Sequence, residues 1–135
     1  MLIDDVRITA EAPTAAGTST IDSAAYDMAG FDGICFVVRF GTPAANNDIR
    51  VRQETTAGGA YADLTGTLVN HATNNQHMVD IGRTGKRFIK CRITRGTSTT
   101  IDSVIVIQYG ARTRPVIQPT ASVSEKYIAA VEGTA

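Results

Sequence analysis

Ile34-Cys35-Phe36-Val37-Val38-Arg39-Phe40, bounded by Gly33 and Gly41, is the stretch that decides the fold class. β-Branched and aromatic residues dominate it, as they do in strands. It is nearly apolar on both faces, which predicts a central strand covered on both sides. Gly41-Thr42-Pro43-Ala44-Ala45-Asn46-Asn47 follows as a turn-rich loop. Asp48-Ile49-Arg50-Val51-Arg52-Gln53-Glu54 then alternates cleanly, with Ile49 and Val51 inward and Arg50, Arg52 and Glu54 toward solvent or a partner. The two strands are expected to pair as a hairpin.

Further along, Phe88-Ile89-Lys90-Cys91-Arg92-Ile93-Thr94 alternates again, with Ile89, Cys91 and Ile93 inward. Its turn is read at residues 95–100. The return is Ile101-Asp102-Ser103-Val104-Ile105-Val106-Ile107-Gln108-Tyr109, the most apolar strand of the chain. A second hairpin with a buried return strand is expected. Weaker strands fit at residues 6–9, 20–22, 63–68 and 78–81. About eight short strands separated by turn signals predict an all-β fold, a two-sheet antiparallel sandwich of jelly-roll type. Helix signals are poor: residues 23–30 suit one turn closed by Gly30, and residues 122–131 a short C-terminal helix. The chain reads as a single domain, 1–135, with its core over about 20–110. The N-terminal segment 1–19 and the C-terminal arm 111–135 carry few or singly spaced apolar residues, as in a flexible terminus or an arm that docks on another subunit.

The whole chain has 135 residues, 43% of them hydrophobic. At this length a single domain buries roughly two-thirds of its unfolded surface and needs neither metal nor disulfide to hold a core. Lys+Arg and Asp+Glu number 13 each. Nucleic-acid binders draw most of their affinity from phosphate neutralisation, so this balance argues against nucleic acid as a direct partner. Cys35 and Cys91 both fall in strands and form no CxxC pair, so both are expected as buried reduced thiols. The acidic start Met1-Leu2-Ile3-Asp4-Asp5 lacks the basic region and apolar core of a signal peptide, and no apolar stretch reaches membrane length. Synthesis in the cytoplasm and no membrane partner are the expectations.

Motifs for catalysis are missing. His71 and His77 stand six apart in a polar, Asn-rich run without a neighbouring ligand, and read as solvated loop histidines with no metal. No serine lies in a GxSxG setting. Gly82-Arg83-Thr84-Gly85-Lys86-Arg87 is shorter than a P-loop and leads into a strand, so it reads as a turn with basic residues at its exit. Neither cofactor nor catalytic residue is expected, and the chain is read as no enzyme. Phe88 shares a face with Lys90 and Arg92, which reads as a solvated outer face or a patch for a protein partner.

Several segments together resemble a known kind of protein. They are residues 20–38, Gly41, Ile49-Arg50-Val51-Arg52-Gln53-Glu54, Gly59-Ala60-Tyr61-Ala62-Asp63-Leu64, Gly85-Lys86-Arg87-Phe88-Ile89-Lys90, and Tyr109-Gly110-Ala111-Arg112-Thr113-Arg114-Pro115. Residues 20–115 in this pattern resemble jelly-roll or β-sandwich cement (decoration) proteins of tailed bacteriophages. The resemblance implies a structural virion protein on the capsid exterior that bridges major capsid subunits and stabilises the mature head. It implies a homo-oligomer, with a dimer favoured and a trimer as the other option. Arg112, Arg114, Ile117, Tyr127 and Ile128 are the expected contact residues, with Lys90 and Arg92 second. The alternative is a head-fibre or tail component binding host-surface glycans, for which Tyr26, Tyr61, Tyr109 and Tyr127 are the only tyrosines.

Overall fold

The computed structural model describes residues 1–122. One short helix, α1 (Leu2–Asp5), precedes eleven strands. These are β1 (Arg7–Glu11), β2 (Thr14–Gly17), β3 (Ile21–Asp22), β4 (Tyr26–Asp27), β5 (Gly33–Phe40), β6 (Asp48–Glu54), β7 (Ala62–Asp63), β8 (Val69–Asn70), β9 (Gln76–Ile81), β10 (Phe88–Thr94) and β11 (Thr99–Tyr109). β1 and β2 share β11 as neighbour, β3 and β4 share β10, and β7 and β8 share β6, so the strands fill eight positions. Sheet A runs β1/β2, β11, β5, β9, and sheet B runs β3/β4, β10, β6, β7/β8, with every pair antiparallel. The molecule is a two-sheet β-sandwich.

The pairings are nested. Arg7 stands opposite Gln108, Tyr26 opposite Ile89, Ile34 opposite Ile81 and Arg52 opposite Asp63. In these four pairs the two residue numbers have the same sum. The chain is thus one antiparallel ribbon, folded back around Ala57-Gly58 and rolled so that β11 meets β5 and β10 meets β6. That winding is the jelly roll. β3 and β8 are out of step with the ribbon. Between β3 and β4, Ser23 absorbs the slip: its N–H donates to the Cys91 carbonyl (2.8 Å) and its Oγ accepts the Cys91 N–H (2.9 Å).

The two expected hairpins are corrected. β5 lies in sheet A and β6 in sheet B, and residues 41–47 carry the chain across the sandwich. β10 and β11 are likewise in different sheets, joined by residues 95–98. Both connections are arches. Packed sheets stand about 10 Å apart, a gap that four extended residues span. Asn47 ties the two arches together: Nδ2 donates to the Thr42 carbonyl (2.9 Å) and Oδ1 accepts the Gly96 N–H (2.9 Å).

Inward side chains of β5 (Ile34, Phe36, Val38, Phe40) meet Ile49 and Val51 of β6 and Ile89, Cys91 and Ile93 of β10, all buried. Burying each such aliphatic or aromatic side chain contributes about 1.5–3 kcal/mol. Tyr26 packs edge-on against Phe36 across the sheets, ring centres 5.9 Å apart. Both cysteines are free thiols. Cys91 is buried, and burial pushes its thiol up to about 12. Cys35 is only half-buried, on the outer side of sheet A.

Residues 1–19 do not lie outside the core unit: β1 and β2 form one edge of sheet A. Residues 23–30 hold β4 and a turn in place of the expected helical turn. His77, expected in a solvated loop, is a buried residue of β9. Residues 123–131 of the expected C-terminal helix lie outside the described residues.

Candidate functional site

Nested pairing brings the last strand beside the first, so the chain leaving β11 runs back along α1 and β1. The exit is a turn at Gly110, whose φ of 66° is left-handed, and where a side chain would meet Asp32 at 2.8 Å. The Asp32 N–H donates to the Tyr109 carbonyl (3.0 Å) and the Arg112 N–H to the Gly30 carbonyl (3.0 Å). Beyond it, the Val116 N–H donates to the Asp4 carbonyl (3.1 Å). Gln118 completes the attachment. Its Nε2 donates to the carbonyls of Ile3 (2.9 Å) and Val6 (2.7 Å), and its Oε1 accepts the Ile8 N–H (3.1 Å). One amide therefore satisfies three backbone groups at the junction of α1 and β1. Residues 111–118 are held on their own domain here, and not as the loose arm expected.

This terminal surface carries three of the expected contact residues. Arg112 pairs with Asp32 (3.2 Å) and Arg114 with Asp5 (2.9 Å). Both arginines stay exposed at the surface. Ile117 is 86% exposed, and Leu2 and Met1 are 68% and 50% exposed. Among the described residues only five large apolar side chains are exposed, and these are three of them. A groove of about 290 Å³ runs beside Ile117, lined by Phe31, Ala111, Pro115 and Val116, with Arg7 at its margin. Across the loop of residues 28–32 lies a polar cleft of about 620 Å³, with Arg83, Lys86, Arg87 and Arg112 in its walls. Its cations are mostly engaged. Arg87 grips Asp27 with two bonds (2.9 and 2.8 Å), which hold the Asp27 carboxyl below its ordinary value, and Lys86 lies 3.6 Å from Glu54. Its walls, among the described residues, hold no histidine, cysteine or serine. Among the described residues, no three metal-ligating side chains converge.

Lys90 and Arg92 belong to a different surface, the outer side of sheet B. Register places Arg92 opposite both Arg50 and Asp22, and Arg52 opposite both Lys90 and Asp63. Like charges abut, and carboxylates separate them. Asp22 accepts from Arg92 (2.8 and 3.2 Å) and pairs with Arg52 (3.2 Å), while Asp63 pairs with Arg52 (2.8 Å) and Arg50 (3.4 Å). The Arg92 hydrogen bond holds the Asp22 carboxyl below its ordinary value, against the opposing effect of partial burial. Lys90 lies over the Tyr61 ring, 4.5 Å from its centre, and Arg52 also donates to the Tyr61 carbonyl. Each arginine of this face already holds a carboxylate of its own domain. Tyr127 and Ile128 lie outside the described residues.

Gln118, which builds the terminal surface, is a residue that sequence reasoning passed over. A lone glutamine in a Pro- and Thr-containing tail carries no periodic signal. No protein-family model matches this chain, and comparison with curated proteins finds no relative.

Proposed function

We propose that this chain is a structural virion protein, a non-enzymatic cement module that docks on the outside of a phage capsid. It bridges major capsid subunits there and stabilises the mature head. The terminal surface carries this reading: Met1 and Leu2 on one chain segment and Ile117 on another stand exposed where Gln118 joins the two, with Arg112 and Arg114 on the Ile117 segment. A backbone already pinned by Gln118 has less conformational entropy left to lose on docking, which favours affinity. A rim of arginines, each with a local carboxylate, suits orientation more than raw strength. The jelly-roll winding and the resemblance of residues 20–115 to phage cement proteins support the same reading.

The mechanism needs no turnover. A module that binds only the expanded lattice adds its binding free energy to that state and shifts the equilibrium toward it. Many copies on one lattice act multivalently. The test is co-sedimentation with purified mature heads that lack the protein. Wild type is expected to bind saturably and to raise the heat resistance of the heads. Ile117→Asp with Leu2→Asp is expected to weaken binding at least tenfold, since burying each side chain is worth about 1.5–3 kcal/mol. Wild-type protein that stays in the supernatant, or a double variant that binds as well as wild type, overturns the reading.

A further inference from the structure

Sheet A has an outer side unlike that of sheet B. Strand alternation and register place Ile8, Ile107 and Cys35 in one outward row that ends at Asp80. The next row is Ala10, Ile105, Val37 and Met78. A third, Ser103, Arg39 and Gln76, borders them. At the opposite border the Tyr109 ring lies over Gly33, where a Cβ would stand 2.2 Å from a ring atom. Outward side chains of a sandwich in water are ordinarily polar. Here two adjacent rows are apolar across three strands and into the fourth. Their central members are only half-buried, and Met78 and Ala10 are exposed.

The charges at the margins are unmatched. Arg39 is exposed and forms no ion pair among the described residues. Asp80 is exposed and accepts from the Tyr109 hydroxyl (2.6 Å), with no cation paired to it among the described residues. The two flank the Val37 row on opposite sides, on neighbouring strands.

We propose that this face joins two copies of the chain about a two-fold axis running across the strands, through the row of Ala10, Ile105, Val37 and Met78. Such an axis lays that row on its own symmetry mate. It exchanges the rows on either side, so Arg39 of one copy arrives at the Cys35–Asp80 row of the other. One operation then closes both Arg39–Asp80 pairs, stacks the central apolar row on its mate and sets each Ile8–Ile107–Cys35 row against the Ser103–Arg39–Gln76 row of the other copy, as an isologous interface allows. A second copy supplies this match by symmetry alone. Four strands about 4.8 Å apart and three outward rows about 6.8 Å apart give a footprint on the order of 400 Å². That is about half the roughly 800 Å² a side of a standard interface, which points to a weak dimer held by charge matching as much as by area. The net charge of +0 adds no long-range repulsion. The inference stands on sheet A alone, so it and the terminal docking surface can fail separately.

Sedimentation equilibrium of the full chain from about 1 to 500 μM covers the affinity range expected for such an area. The mass is expected to rise from 14.3 kDa toward twice that value. Val37→Glu is expected to remain monomeric throughout with its circular dichroism unchanged. Arg39→Glu and Asp80→Arg alone are each expected to weaken association at least tenfold, through like-charge contact across the axis. The double variant Arg39→Glu/Asp80→Arg is expected to recover to within a few-fold of wild type. The lost Tyr109 bond is common to Asp80→Arg and the double variant, and so cancels. A measurement free of substitution is the labelling of Cys35 in wild-type protein, which is expected to slow as concentration rises. A wild-type monomer at the highest concentration, a dimer indifferent to Val37→Glu, a double variant no better than its singles, or Cys35 labelling independent of concentration overturns the proposal.

Discussion

His77 lies inside the sandwich, 2% exposed, with the Phe40 ring edge-on at 5.2 Å and Val38 directly opposite. Among the described residues, neither ring nitrogen has a hydrogen-bond partner. A buried polar group left unbonded costs about 1–3 kcal/mol, whereas an apolar side chain of similar shape costs nothing of that kind. His77→Leu is therefore expected to raise stability by about 1 kcal/mol, read as a higher urea midpoint at unchanged slope. A lower midpoint would show that the ring nitrogens are hydrogen-bonded in solution and would overturn this expectation. Arg95 is the reverse case. It too is buried, yet Nε donates to the Ser19 carbonyl (3.0 Å), Nη1 to the carbonyls of Ala15 (2.8 Å) and Thr99 (2.9 Å), and Nη2 to Ser19 Oγ (2.7 Å). No carboxylate is among these partners. Gly17 leaves room for it, since a Cβ there would lie 3.0 Å from Nη2. Arg95→Met keeps the stem and strands those acceptors. A loss of about 3 kcal/mol is expected, because bonds from a charged donor are worth about 1.5–3 kcal/mol each. Amide exchange should quicken first at residues 14–17, and unchanged protection there would contradict the assigned role.

Among elements, sheet B depends most on pH. Asp22 on β3 serves Arg92 of β10 and Arg52 of β6, so one carboxylate links three strands. Its folded pKa lies below the ordinary 3.8. For a depressed acid, the stabilisation is present above the unfolded value and lost as pH falls through the folded one. Thermal scans are thus expected to show stability falling below about pH 4, and Asp22→Asn is expected to flatten that fall while lowering stability at neutral pH. An Asp22→Asn curve parallel to wild type below pH 4 would assign the acid sensitivity elsewhere. Alternation made several elements readable in advance. Ile89, Cys91 and Ile93 of β10 and Ile49 and Val51 of β6 were legible as inward because every second side chain shares a side. Partners were not legible, since a strand entering an arch and one entering a hairpin present the same alternation. For β5 and β11, apolarity on both sides was read as burial on both sides. The structure covers one side only, leaving Val37, Ile105 and Ile107 on the other. In the terminal surface, Arg112, Arg114 and Ile117 were legible as single residues outside the main strands. Their attachment was not, because it rests on the backbone carbonyls met by Gln118.

The whole molecule is governed by the nested ladder. Nearly all its pairings join residues far apart in sequence, and the loop-closure cost of such contacts slows folding. The same nesting sets first strand against last, which is how a surface made from residues 1–8 and 111–118 arises at all. Two copies joined through sheet A would carry two such surfaces on one rigid body, and paired sites bind a lattice with an effective concentration that single sites lack. The ladder also gives the domain a direction of weakness. Arg7 and Gln108 are partners at the same end of the β1–β11 pairing, and Glu11 and Val104 close its other end. Tension applied through the two flanks of the ribbon meets those hydrogen-bonded pairs one after another, as a zipper does. Load entering through the broad faces of the sheets is instead shared by many pairs in parallel. The domain is expected to yield at low force when pulled by its flanking chain and to resist load entering through its faces.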